Sequence, residues 1–97
     1  MQAETNKTLS VEIISFVDMI RHSRSANTAR TYDNAMKAFV SVLLDHHVDP
    51  SRIPPTELSE EAVLWFLSYL KNYAPTTERL YLTALMRLYE YLAAEGY

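Results

Sequence analysis

The chain has no cysteine, a single glycine and only four prolines in 97 residues. Without cysteine there is no disulfide framework and no thiolate metal site. Few glycines and prolines mean few breakers, which favours helices over a turn-rich β architecture. Long apolar runs are also missing: nothing approaches the roughly 20 uninterrupted apolar residues that cross a bilayer, so no membrane role is expected. Residues 1–7 show no basic segment followed by an apolar core, so a secretory signal is not expected and a cytoplasmic location is the simplest reading. The net charge of −3 lacks the basic surplus usual for a general polyanion binder. What is present is 48% hydrophobic residues, enough to fold one small domain with one core.

Apolar spacing places four helices. Leu9, Ile13, Phe16, Val17 and Ile20 form the stripe of one buried helical face over 9–22, with Thr8 or Ser10 as cap. A second helix, 26–45, follows Ser25 as N-cap and repeats Tyr32, Met36, Phe39, Val40 and Leu43. Pro50 to Pro55 reads as the one long loop, with Pro54-Pro55 favouring an extended path. The third helix, 59–72, buries Val63, Phe66, Leu67 and Leu70, while Glu60 and Glu61 complement its dipole. Pro75 suits the first position of a fourth helix, 75–94, and Gly96 its stop. Residues 1–8 are expected as a flexible terminus, 9–95 as one helical domain, and 96–97 as the start of a linker. The fold class is all-α: a four-helix bundle of two hairpins with approximate internal two-fold symmetry.

That symmetry is suggested by a repeat. Thr28-Ala29-Arg30-Thr31-Tyr32 is echoed by Thr77-Glu78-Arg79-Leu80-Tyr81, each reading Thr-x-Arg-x-Tyr, with Thr28 and Thr77 separated by 49 positions. The match continues through Ala35 with Ala84, Met36 with Leu85, Phe39 with Leu88, and Leu43 with Leu92. A helix N-terminus offers unpaired N–H groups and the positive end of the dipole, which suits phosphate. An arginine and a threonine added there make a grip on a nucleic-acid backbone.

Charge is distributed accordingly. From Arg21 to Lys37, four positive side chains oppose only Asp33; from Asp45 to Glu61, five carboxylates oppose only Arg52. From Lys71 to Arg87 the balance is positive again. The candidate DNA-binding residues are Asn27, Thr28, Arg30 and Lys37 in the second helix, and Thr76, Thr77, Arg79 and Arg87 in the fourth. Capping is an equally good account of the threonines, and solvated helix faces of the charges. Tyr32 and Tyr81 fall in the core stripe. The adjacent His46 and His47 point about 100° apart on a helix and have no third ligand, so no metal site or other cofactor is expected.

The run Ser25-Ala26-Asn27-Thr28-Ala29-Arg30-Thr31-Tyr32, with Phe39 after it, resembles the "SxNTxxxY…F" helix of core-binding domains in tyrosine recombinases and phage-type integrases. Thr76-Thr77, then Leu82-Thr83-Ala84-Leu85, then Tyr89 and Leu92, is similar to that family's fourth helix, and Val63, Phe66, Leu67 and Leu70 to its third. The resemblance covers roughly Leu9 to Tyr97. It implies a SAM-like, four-helix DNA-binding domain that clamps one face of a duplex, with a C-terminal catalytic domain and neighbouring protomers as further partners. It also implies that this fragment is not an enzyme and has no catalytic residues. The strand-exchange chemistry belongs to the absent domain. Asn34, Leu80 and Tyr81 stand where family members often carry a base, implying fewer phosphate contacts. Two other readings fit the residues: a helical protein-interaction module using the Trp65 and Tyr69 face, and a stand-alone DNA-binding regulator.

Overall fold

The computed structural model describes residues 7–97, and all regular structure among them is helical. The elements are α1 (Leu9–Ser23), α2 (Ala26–Asp45), a single 3-10 turn over Pro55–Glu57, α3 (Glu61–Leu70) and α4 (Pro75–Ala94). No helix among the described residues is long and apolar enough to cross a membrane. The expected flexible terminus lies, for residues 1–6, outside the described residues, while Thr8 caps α1 by accepting the Val11 N–H at 3.2 Å.

The core follows from where the apolar stripes fall. In α1 the stripe is Leu9, Ile13, Phe16, Val17 and Ile20, all buried. α2 packs against all three other helices, and α4 touches α1, α2 and α3, so these two 20-residue helices form the centre. All eight residues paired by the repeat (Ala35, Met36, Phe39 and Leu43 in α2; Ala84, Leu85, Leu88 and Leu92 in α4) are buried. Phe39 meets Phe66 of α3 edge-on at 5.5 Å, and Phe16 of α1 sits 6.0 Å from Tyr32 and 5.5 Å from Tyr91. Each large apolar side chain so buried contributes about 1.5–3 kcal/mol. The ion pairs are exposed and mostly within one helix, worth at most about 1 kcal/mol each. Apolar burial therefore holds the fold.

The repeat reaches beyond the stripes to the helix ends. α2 and α4 start 49 positions apart, at 26 and 75, and end 49 apart, at 45 and 94. Both close with the same C-terminal device. His47 donates to the Leu44 carbonyl and Val48 to that of Leu43; Gly96 donates to Ala93 and Tyr97 to Leu92. This is the Schellman pattern, which needs a left-handed residue just past the helix. Gly96 supplies it with φ of 97°, and its counterpart His47, not a glycine, with φ of 64°. Gly96, expected as the stop of α4, thus closes it together with Tyr97.

Two expectations are corrected. α3 is shorter than 59–72: Ala62 and Val63 donate to the Ser59 and Glu60 carbonyls, and Lys71, Asn72 and Tyr73 to residues three back, so both ends are tight turns rather than α-helix. Its buried face is Ala62, Phe66 and Leu70, with Val63 and Leu67 only half-buried, because the short helix is rotated to bring Ala62 inward. Pro54 is extended as expected, but Pro55 opens the 3-10 turn, where its missing N–H costs nothing.

Candidate nucleic-acid interface

An anion needs a helix N-terminus whose N–H groups are still free, and the four ends differ in this. That of α1 is closed: Leu9 and Ser10 donate to the Ile53 and Pro50 carbonyls at 2.8 and 2.9 Å. The loop thereby occupies the positive end of α1. α3 begins among Glu57, Glu60 and Glu61, whose charges repel an anion. α2 is open. Its Ser25 Oγ accepts only the Thr28 N–H, leaving the Ala26 and Asn27 N–H groups without an acceptor among the described residues. Its first turn carries no acidic residue.

Basic side chains border that open end. Arg24 is the residue before the cap, and it forms no ion pair among the described residues. Arg21 and Arg30 line one open groove of about 360 Å³ between α1 and α2, together with Ala26, Ala29 and Asp33. Arg30 Nη1 donates to Asn27 Oδ1 at 3.1 Å, which holds the guanidinium beside the N-terminal turn. Arg21 is loosely paired with Asp18 at 3.8 Å, both exposed, a contact that an incoming phosphate can exchange. Lys37 lies seven residues beyond Arg30, roughly 10 Å along the helix, on the same exposed side and paired with Asp33 at 3.2 Å.

The threonine hydroxyls are already engaged. Ser25 Oγ donates to Thr28 Oγ1 at 3.1 Å while accepting that residue's N–H, so Thr28 is held by the Ser25 cap. Thr31 donates back to the Asn27 carbonyl.

The α4 candidates sit in a more neutral setting. Ala74 is its N-cap and has no side-chain acceptor, so the Thr76 and Thr77 N–H groups are also free among the described residues, with Thr76 exposed and Thr77 half-buried; what sets α4 apart from α2 is its charge. Glu78 occupies the first turn and pairs with Lys71 at 3.7 Å across from the end of α3. Arg79 is exposed and has no ion pair among the described residues. Arg87 lies further down α4, bound to Glu90 at 3.2 Å; this hydrogen bond, and then the Glu90 charge and Tyr32, hold its guanidinium protonated beyond the ordinary range. No hydrogen bond or ion pair among the described residues joins an α2 candidate to an α4 candidate. Arg87 nevertheless reaches Tyr32 of α2, so the two sets adjoin, and the α2 set is the more concentrated.

Sequence reasoning counted Arg21 and Arg24 in the positive segment without assigning them to the site; their position beside the Ser25 cap was the available signal. Three features had no such signal. Glu12 is 2% exposed and accepts the Tyr97 hydroxyl at 2.8 Å, which raises the phenol pKa. His46 stacks on Trp65, with ring centres 4.1 Å apart and planes 6° from parallel. Tyr89 donates to the Ser59 carbonyl at 3.1 Å, and burial pushes its pKa up to about 12. No group of three or more His, Asp or Glu among the described residues is arranged to hold a metal ion.

No family model matches this chain, and no curated protein or solved structure shows significant similarity to it.

Proposed function

We propose that this chain is a DNA-holding domain of the tyrosine recombinase and phage integrase kind, with the SAM-like arrangement of two related hairpins. Its grip on duplex backbone is centred on the N-terminal half of α2. The observation that carries this reading is the open start of α2: two free N–H groups, no acid in the first turn, and Arg21, Arg24 and Arg30 around it. Backbone amides, helix dipole and guanidinium groups then act on the same phosphate. Lys37 extends the contact along α2. Asn27 positions Arg30, and Thr28 keeps the turn closed. Thr76, Thr77, Arg79 and Arg87 supply a second, weaker contact from α4. In this reading the domain holds and orients DNA, and a separate C-terminal domain breaks and rejoins strands through a phosphotyrosine link; neighbouring protomers complete the assembly.

Binding is expected to be weak and insensitive to sequence, with Kd on the order of 10⁻⁴ to 10⁻⁶ M and a steep fall with salt. The test is fluorescence anisotropy on a labelled duplex across a salt series. Arg30→Ala should reduce the slope of log K against log salt by about 1, and Arg24→Ala with Arg30→Ala by about 2. Arg87→Ala, removing a side chain already tied to Glu90, should change it less. Undetectable binding, or a slope unaltered in the double variant, rejects the reading.

A further inference from the structure

The observation with no place in DNA binding is on α3. Leu64 is 64% exposed, although α3 is otherwise the most apolar helix of the chain. It forms a ridge between two grooves. On one side a groove of about 340 Å³ is walled by His46, Trp65 and Tyr69, with Asp45 at its edge. On the other a groove of about 510 Å³ is walled by Val63, Met86 and Tyr89, with Glu60 and Glu61 at its edge. Each has the volume to take a large side chain. Asp45, Glu60 and Glu61 form no ion pair among the described residues, and neither groove is lined by a lysine or arginine.

An apolar ridge between two grooves is the complement of another helix, whose residues at i and i+3 or i+4 enter the grooves on either side. Three unpaired carboxylates around it select positive charge in the partner and repel nucleic acid. We infer that the α3 face is a docking site for a basic amphipathic helix of another protein or domain. Such a helix places two apolar side chains astride Leu64 and its lysines or arginines against Asp45, Glu60 and Glu61. The inference does not rest on the DNA reading; where both hold, repulsion of phosphate leaves this face free while α2 is occupied.

Trp65 is the only tryptophan, and its indole lies in one groove under His46, so its emission reports occupancy directly. The probe is a synthetic tryptophan-free amphipathic peptide of leucine and lysine, with a peptide bearing glutamate in place of lysine as comparison. The expected result is saturable, micromolar binding of the lysine peptide that changes Trp65 emission, and no binding of the glutamate peptide. Glu60→Gln with Glu61→Gln should weaken it roughly tenfold, and Leu64→Asp by more. Asp18→Asn with Asp33→Asn, removing two charges elsewhere, should leave it within about twofold. Leu64 is exposed, so Leu64→Asp should keep the helical circular dichroism of the parent. Equal binding of the glutamate peptide, undiminished binding to Leu64→Asp, or a silent Trp65 overturns the inference. So does a concentration-dependent dimer in sedimentation that Leu64→Asp dissolves, since the occupant would then be a second copy of this chain.

Discussion

Replacing His47 with glycine should stabilise this protein, although it deletes an entire side chain. His47 holds φ at 64° in the C-terminal cap of α2, a conformation in which Cβ crowds the following carbonyl. That crowding costs a non-glycine residue about 1–2 kcal/mol. Glycine removes it but gives up about 0.5–1 kcal/mol through its larger freedom in the unfolded chain. The net gain is about 0.5–1 kcal/mol, a rise in Tm of roughly 2–8 °C for a domain of this size. Gly96, 49 positions on in the same cap of α4, provides the reverse experiment. A Cβ built there meets no atom within 4 Å outside its chain neighbours, so Gly96→Ala tests the local backbone strain with no clash against the rest of the fold. It should lower Tm by a similar amount. Thermal melts followed by far-UV circular dichroism on the parent, His47→Gly and Gly96→Ala measure both. If His47→Gly melts at or below the parent temperature while Gly96→Ala is destabilised, a net torsional cost at 47 is refuted.

The start of α4 offers the complementary change. Ala74 has φ −62° and ψ 149°, close to the −65° and 161° of the Ser25 cap, so Ala74→Ser should add the missing acceptor and about 1 kcal/mol in denaturant unfolding. Tyr89 links stability to alkaline pH. Its folded pKa of about 12 lies above the ordinary 10.0, so its stabilisation is complete below pH 10 and declines between pH 10 and 12 as the unfolded chain ionises first. Tyr89→Phe should show a shallower loss of stability over that window in unfolding measured at successive pH values.

The long helices were legible because their signals were redundant. In α2, cap, stripe and length agree: Ser25, a buried face repeating through Leu43, and a polar end at Asp45. In α4, Pro75 and Gly96 mark the two ends without any side-chain cap. α3 is not legible at either end because its sequence is apolar on nearly every side, and periodicity cannot choose which face turns inward. Tertiary packing chose Ala62. The site was legible by composition more than by geometry. The arginines and threonines of the repeat were visible, but which helix start remains open depends on non-local partners. The carbonyls of Pro50 and Ile53 that close α1 lie 40 and 44 positions from the N–H groups they accept. The hydrogen-bond partner of buried Glu12 is Tyr97, 85 positions away, and no local pattern announces it.

That last contact brings the two ends of the helical domain together. Tyr97 rests its hydroxyl on the first turn of α1, so the end of α4 and the beginning of α1 lie side by side. A short peptide bridge from Tyr97 to Thr8, in place of residues 1–7, should therefore close the helical domain into a ring without disturbing a helix. Closure would lower the entropy of the unfolded chain and leave the native bundle unchanged. In a closed chain, the turns between helices become interchangeable places at which to open it. Opening at Asn72–Tyr73 would tie α4 directly to α1, keeping the Pro50 and Ile53 carbonyls on α1 and the start of α2 uncovered.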